Sequence, residues 1–476
     1  MADQQYEYGM IGLGTMGRNL LLNMVDRGFS VAGYDKDPNT LELLNKEGAG
    51  KNLHAFATLE QFIQSLKQPR VIIILVPAGR IVDAVIEEVK PFLNSNDLLV
   101  DCGNSHFTDT NRRINHLNDQ GIHFMGTGVS GGEAGARFGP SIMPGGNAEA
   151  YQMVKPVFEA IAAKTNGVPC VAYMGKGSAG HYVKMVHNGI EYAIMQAIAE
   201  SYQMLKQLGG LNNTELQVIF ESYNQSAIRC YLLEITSAIF SEPDDLTENR
   251  LLDMILDSAR QKGTGAWSSQ DAMNLMVPTP AIDASVVQRE ISGLKNERIF
   301  ASNVLNGPDN DALLGHDGLV PVIEDTLHFC MICIYAQGLA LIKAASQQYQ
   351  YDTDPVQVAS VWRDGCIIRA DMLEDIRKAF QQEPALQNLV VSELFAGRLN
   401  KLQKHTRSAI ISAVSAGIPV PVMMSNLAYY DSYRSAWLPA NLLQAQRDFF
   451  GAHTYERIDR TGSFHTNWQA LTDNNG

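Results

Sequence analysis

Residues 6–37 read YEYGMIGLGTMGRNLLLNMVDRGFSVAGYDKD. An apolar strand runs into Gly12-Leu13-Gly14-Thr15-Met16-Gly17, and a helix is expected from Arg18 to about Arg27. A second strand, SVAGYD, then ends on Asp35, eighteen residues after Gly17. Each glycine has a physical use there: a tight turn, close approach of backbone to a pyrophosphate, and close packing of helix on strand. The N–H groups at the helix start would hold the pyrophosphate. A glycine triplet alone is weak. Flanked by a strand, a helix and an acid at the second strand's end, it predicts a dinucleotide-binding βαβ unit.

More units of this kind follow. PRVIIILVPAG (69–79) is a buried strand ending in a loop, and NDLLVDCGNSHFTDT (96–110) is another, ending near Asn104. GIHFMGTGVSGGEAGARFGPSIMPGG (121–146) is a strand followed by a glycine-dense loop. In open α/β sheets ligands bind outside the carboxyl ends of the strands, where these polar loops fall. Ser130, Gly131 and Gly132 would offer a hydroxyl and several N–H groups to an anion or a sugar, although a glycine pair serves a plain turn equally well.

Beyond about Ala179 the pattern turns helical. Periodic runs cover 181–209, 214–240, 281–302, 324–347, 355–379 and 386–416. The first begins oddly, in GSAGHYVKMVHNGIEYAIMQAIAE (177–200). At 100° per residue Lys184, Asn188 and Glu191 fall on one narrow face, continued by Met195. Such groups cost several kcal/mol if buried without partners, so a solvated face is the plain alternative to a site. The end of the chain, LPANLLQAQRDFFGAHTYERIDRTGSFHTNW (438–468), is too aromatic for a disordered tail and must dock on its own body or on a partner. The expected organisation is a Rossmann-type α/β domain over 1–178, an all-helical domain over 179–434 and an extended tail over 435–476.

Composition narrows the class. The chain has 476 residues, 45% apolar and 18% charged, with a formal charge of −14. That length suits two or three domains, and the acidity argues against a nucleic-acid binder. An anionic ligand would therefore need a local basic pocket. No run of eighteen apolar residues suggests a membrane span, and no signal core follows the N-terminus. Six cysteines, at 102, 170, 230, 330, 333 and 366, suit reduced thiols in a cytoplasm. Cys330 and Cys333 form a C-x-x-C, but inside an apolar helical run, which makes them core thiols.

HYVKMVHNGIEY (181–192), VSGGEAGARFGPSIMPGG (129–146), QKGTGAWSSQDA (261–272), GCIIRA (365–370) and LPANLLQAQRDFFGAHTYERID (438–459) resemble the 6-phosphogluconate dehydrogenase family, decarboxylating and full-length, in the family's order and over almost the whole chain. The resemblance implies oxidative decarboxylation of 6-phosphogluconate to ribulose 5-phosphate and carbon dioxide, a step of the pentose phosphate pathway and of gluconate use. It also implies a homodimer whose tails complete each other's sites, with no metal. On it, Lys184 matches the general base and Glu191 the acid that protonates the enediol. Tyr192, Lys262, Arg289, Arg447 and His453 fall on sugar-phosphate contacts. Asn104, Ser130, Gly131, Gly132, His187 and Asn188 fall on the carboxylate and hydroxyl end. Read alone, Lys262 and Arg447 are ordinary surface cations.

The chain departs from the family's NADP-using members, which read G-x-A-x-x-G, Asn-Arg-Thr and Val-Lys-Ala-Gly at three loops. Here the loops read Gly12-Leu13-Gly14-Thr15-Met16-Gly17, Asp35-Lys36-Asp37 and Val76-Pro77-Ala78-Gly79. A carboxylate at Asp35 would accept hydrogen bonds from a ribose and repel a 2′-phosphate. Asp37 adds a second charge, Pro77 stands where a lysine was, and Lys36 pulls the other way. The balance favours NAD over NADP. YNQSAIRCYLLEIT (223–236) also departs, without a clear chemical consequence. Within enzymes the alternative is a β-hydroxyacid dehydrogenase of the 3-hydroxyisobutyrate type, which shares the glycine loop and the lysine but does not decarboxylate.

Overall fold

Val71–Ile74 is four consecutive aliphatic residues, all buried, and Tyr8–Ile11 and Leu98–Asp101 are buried along their whole length. Strands apolar on both faces belong inside a parallel sheet covered on both sides. The computed structural model, which describes residues 5–261, 263–308 and 316–468, places them so. In chain order the N-terminal elements are β1 (Tyr8–Ile11), α1 (Thr15–Asp26), β2 (Val31–Tyr34), α2 (Pro38–Glu47), β3 (Leu53–Phe56), α3 (Leu59–Gln64), β4 (Val71–Ile74), α4 (Arg80–Val89), β5 (Leu98–Asp101), α5 (Phe107–Asn118), β6 (His123–Ser130), α6 (Gly132–Phe138), β7 (Ser141–Gly145) and α7 (Ala148–Ile161). A small hairpin, β8 (Lys164–Thr165) and β9 (Val168–Pro169), follows.

The sheet order is β3-β2-β1-β4-β5-β6-β7, parallel except for β7, which runs antiparallel to β6. Alternate residues feed two cores. Met10, Ile73, Val100 and Met125 pack with α1 and α7, while Ile11, Ile72, Ile74 and Leu99 pack with α3 and α4. The order reverses between β2 and β4, both of which flank β1, so the crevice expected for a nucleotide opens at the ends of β1 and β4.

The rest of the first compact unit, Met1–Leu427, is helical. Its helices are α8 (Ala179–Gly209), α9 (Asn213–Tyr223), α10 (Tyr231–Ser241), α11 (Leu251–Met254), α12 (Thr264–Asn274), α13 (Pro280–Gly293), α14 (Lys295–Val304), α15 (His316–Gln348), α16 (Pro355–Val361), α17 (Met372–Gln382) and α18 (Glu393–Ser415); α19 (Pro421–Tyr433) begins in this unit and ends in the next. Several expected runs are broken. The run 214–240 divides at 224–230, where Asn224 accepts the N–H of Cys230. The run 281–302 divides at Leu294, 355–379 divides after Val361, and 386–416 is α-helical only from Glu393, after a short 3₁₀ turn at Leu389–Val391. Periodicity survives a turn that keeps the apolar residues inward, so it does not report such breaks. Likewise α1 starts at Thr15, not Arg18, because the glycine loop is shorter than its motif.

Helix α15 forms the axis of this region, packed on α8 and α18. Phe329 to Tyr335 are all buried, Cys330 and Cys333 among them as core thiols. Gly318–Gln348 is long and apolar enough to cross a membrane, at mean hydropathy 1.6, which the sequence reading did not anticipate. Its most apolar window is 78% buried inside the protein, and burial all round explains apolarity all round.

The second unit, Ala428–Gly476, carries α20 (Ala440–Gly451) and the hairpin β10 (Tyr455–Glu456) and β11 (Ser463–Phe464). Its staple is the buried Asp448, whose carboxylate accepts from the N–H of Thr454 and Thr466 and from Trp468 Nε1, with His465 Nδ1 at 2.9 Å.

Candidate active site

The first half of the site is the crevice at the ends of β1 and β4. Gly12 has φ +94°, and a Cβ there would sit 2.4 Å from the Leu75 carbonyl oxygen. A Cβ on Gly17 would stand 1.9 Å from the Gly12 carbonyl oxygen, which fixes how closely α1 approaches β1. At Gly14 no atom lies within 4 Å of a Cβ position, so that face of the loop is open. A cavity of about 330 Å³ is lined by Gly12, Gly14, Asp35, Lys36, Val76, Pro77 and Glu88 among others. A turn that only glycine makes, an open glycine facing a cavity and an acid at the end of β2 together fit a dinucleotide.

The three charges of the Asp35–Asp37 loop have separate duties. Asp35 Oδ2 accepts the N–H of Leu13 (2.7 Å) and Oδ1 that of Asp37 (3.0 Å), which anchors it beside the glycine loop. Asp37 caps α2 by accepting from Asn39 N–H (3.0 Å). Lys36 Nζ is held at 2.6 Å by Glu88 of α4, a residue that nothing in the sequence reading singled out. The only signal for it was its place on an amphipathic helix after the Val76–Gly79 loop.

The second half is built by α8. This helix starts hard against the edge of the sheet. A Cβ on Gly180 would meet the carbonyl oxygens of Gly126 and Met143 at 2.3 Å, and one on Gly128 would meet Lys184 Cβ at 2.4 Å. Small residues on both sides therefore bring Lys184 to the carboxyl end of β6. Its ammonium donates to Asn188 Oδ1 (2.7 Å) and Ser130 Oγ (3.3 Å) and lies 3.4 Å from His187 Nδ1. Asn188 Nδ2 donates to Thr264 Oγ1 (3.0 Å), and His187 Nε2 meets Ser130 Oγ at 3.3 Å. Asn104, Ser105, His181, Thr264 and Trp267 line the same cleft as Lys184 and Asn188.

The start of this face is not solvated: Lys184 and Asn188 are buried and Glu191 partly so, whereas Met195, which continues the face, is exposed; His187 beside it is fully buried. Burial lowers the lysine's pKa, opposed by the Glu191 and Cys366 charges. Burial raises that of Glu191, opposed by the Lys184 and Arg289 cations. His187 is pushed well below the ordinary histidine range by burial and by Lys184. An amine that readily gives up its proton therefore shares a face with a carboxyl that readily keeps one.

Gly131 has φ +118° and stands so close to the Gly365 carbonyl that a Cβ would be 2.5 Å from it, so GCIIRA backs the Ser130–Gly132 loop. Tyr192 faces Arg289, whose guanidinium lies 3.5 Å over its ring. Lys262 lies outside the described residues. Arg447 and His453 belong to the second unit, where both are exposed; Arg447 donates to Gln444 (3.1 Å) and His453 meets Phe450 edge-on. Sequence reasoning missed Thr264, Trp267 and His181 as parts of the cleft. All three sit inside stretches quoted for the resemblance, but nothing local tells a cleft residue from a core one.

Residues 7–175 match the NAD binding domain of 6-phosphogluconate dehydrogenase, and residues 180–468 match the 6-phosphogluconate dehydrogenase C-terminal domain. The chain is 50% identical to a Bacillus subtilis protein named 6-phosphogluconate dehydrogenase, NADP(+)-dependent, decarboxylating, covering 98% of this chain and all of that one. It is 49% identical to a decarboxylating 6-phosphogluconate dehydrogenase of Lactococcus lactis, over 98% of this chain and 99% of that one. It superposes with TM-score 0.94 and 38% identity on a Plasmodium falciparum 6-phosphogluconate dehydrogenase, over 97% of this chain and all of that one. That enzyme was solved in its apo form, with NADP+ and with 6-phosphogluconate.

Proposed function

The chain belongs to the 6-phosphogluconate dehydrogenase family, and from that premise we propose how its residues carry the reaction. It catalyses the oxidative decarboxylation of 6-phosphogluconate to ribulose 5-phosphate and carbon dioxide with reduction of a nicotinamide dinucleotide. Full-length likeness to the decarboxylating enzymes, second helical half included, sets the 3-hydroxyisobutyrate alternative aside.

Bound in the crevice, the nicotinamide supplies the hydride acceptor. Lys184, uncharged at the outset, takes the C3 hydroxyl proton as the hydride leaves C3. The oxidised product is a β-keto acid, and its carboxylate departs because the adjacent carbonyl accepts the electron pair as an enol. The Lys184 ammonium returns the proton to the C3 oxygen during that step. Glu191 then protonates the enediol carbon while Lys184, neutral again, takes back the proton of the hydroxyl at the former C3, and the ketose results. The observation that carries these roles is a buried Lys184 held against Asn188 and Ser130, with Glu191 on the same helix face two turns along and their pKa values pushed toward base and acid. Asn104, Ser130, Gly131, Gly132, His187 and Asn188 hold the carboxylate and hydroxyl end; Tyr192, Lys262 and Arg289 hold the phosphate, with Arg447 and His453 from the other subunit.

That last assignment makes the protein a homodimer in which tails are exchanged. It is supported by the exposure of Leu442, Leu443, Phe449 and Phe450 on α20, apolar surface suited to a partner. On this reading 1–178 binds the dinucleotide, 179–434 the substrate and the dimer mate, and 435–476 the neighbour's site. A cytoplasmic setting suits six cysteines that are all free and buried.

For the cofactor we favour NAD. Asp35 faces the cavity, Pro77 brings no cation, and the one retained cation, Lys36, is already paired with Glu88. Unit charges ~4–5 Å apart repel by about 1–4 kcal/mol near a surface, roughly ten- to several-hundred-fold in preference. The test is initial-rate kinetics with 6-phosphogluconate and NAD or NADP, following reduced nicotinamide and carbon dioxide together. Efficient turnover with NAD supports both readings. A clear NADP preference overturns the cofactor reading alone, and no carbon dioxide with either overturns the residue roles.

A further inference from the structure

One buried guanidinium lies between the two loops that face the crevice and the cleft. Arg113, on α5, is 1% exposed. Its Nη2 donates to the Gly79 carbonyl (2.9 Å) and its Nε to Asp83 Oδ1 (2.8 Å), both at the start of α4. Its Nη1 donates to Ser105 Oγ (3.0 Å) and Asp101 Oδ2 (3.3 Å), at the end of β5. One planar fork thus bridges the loop Val76–Gly79 and the loop that carries Asn104.

The frame continues. Asp101 Oδ1 accepts the Gly103 N–H (2.9 Å) and Oδ2 the Ser105 hydroxyl (2.6 Å), which fixes the loop on both sides of Asn104. The Asp101 carbonyl oxygen lies 3.1 Å from His181 Nε2, and His181 Nδ1 lies 2.7 Å from Thr110 Oγ1. His181 stands on α8 three residues before Lys184. A continuous chain of hydrogen bonds therefore runs from the cofactor loop, past Asn104, to the helix that carries the base. Burying a cation among carboxylates gives little stability over a well-packed apolar residue, so stability does not account for Arg113. What the fork does fix is the spacing of three ligand-facing segments. Hydride transfer is sensitive to that spacing, since about 1 Å of misplacement can cost ~10²-fold.

We propose that Arg113 is a positioning residue for hydride transfer, holding the Val76–Gly79 loop, Asn104 and the start of α8 in one frame. The inference rests on the assignment of the site to Lys184 and the crevice. In Arg113→Lys a single ammonium cannot span four acceptors, whereas it keeps the charge that Asp83 and Asp101 face. With the full-length enzyme, kcat should fall roughly 10–100-fold, while KM for 6-phosphogluconate changes less than about threefold. The primary isotope effect with substrate deuterated at C3 should exceed the parent's, because a stretched hydride transfer becomes the slow step. Asp83→Ala removes only the outer arm, from a partly exposed partner, and Asp83→Asn keeps an acceptor but takes away its charge; either should lower kcat about three- to tenfold with the isotope effect raised the same way. Parent-like kcat and isotope effect in a folded Arg113→Lys, or in Asp83→Asn if the first variant does not fold, overturn the proposal. A parent enzyme that releases no carbon dioxide from 6-phosphogluconate would instead overturn the assignment beneath it.

Discussion

The role proposed for Lys184 sets two demands in conflict: a base must be free of its proton near neutral pH, yet a lysine in water holds it firmly. The structure resolves the conflict by burial, with Asn188 and Ser130 as partners that carry no charge. Lys184→Met should lower kcat by about 10²–10⁴-fold while 6-phosphogluconate still binds, measured by steady-state rates and by calorimetric titration. Activity equal to the parent would sink the role. The acid limb of kcat/KM against pH should lie below the range of an ordinary lysine, because desolvation lowers the Lys184 pKa and the reactive form is the unprotonated one. At the other end of the dinucleotide, Asp35→Asn should move the NAD-to-NADP ratio of kcat/KM toward NADP by about tenfold or more. Glu88→Gln frees Lys36 and should move it the same way by a smaller factor, since exposed ion pairs are worth only about 0–1 kcal/mol. An unchanged ratio in both variants would show that neither carboxylate faces the 2′ position.

Helix α8 carries the lysine half of the site and is buried along most of its length. About six turns along, it meets α19 through Glu200, 1% exposed, whose oxygens accept the N–H groups of Val422 and Met423 at 2.9 Å each. The carboxylate thus satisfies the open N–H groups at a helix start. Burial nevertheless raises its pKa to about 7, against those hydrogen bonds. The folded state therefore holds this proton more tightly than the unfolded chain. The stabilisation is complete below the ordinary glutamate range and is lost as pH rises through about 7. The loss should reach about 3 kcal/mol at ~1.4 kcal/mol per pH unit. Urea unfolding at pH 5 and pH 8.5 measures it, and Glu200→Gln should flatten the dependence. A pH dependence unchanged in that variant would assign it to other groups.

For the whole molecule, the proposed tail exchange means that a subunit does not work alone. If Arg447 and His453 act in the neighbour's site, Lys184→Met and Arg447→Ala homodimers should each be impaired. Co-expressed, they should regain activity, since one site of each mixed dimer keeps both residues. No recovery in purified mixed dimers would place Arg447 and Lys184 in the same subunit's site. The sequence by itself determined the βαβ start, the helical second half and the face shared by Lys184, Asn188 and Glu191, because strand alternation, the 3.6-residue turn and the glycine loop are local rules. It also carried, through whole stretches, the resemblance that identified the chemistry. Only tertiary structure decided that Lys184 and Asn188 on this face are buried, since Gly128 and Gly180 matter through atoms far along the chain. The same holds for Glu88 on Lys36, for Arg113 between two loops, and for the breaks within the helical runs. Each depends on which segments the fold brings within about 3 Å, the range over which a hydrogen bond forms and beyond the reach of any local pattern.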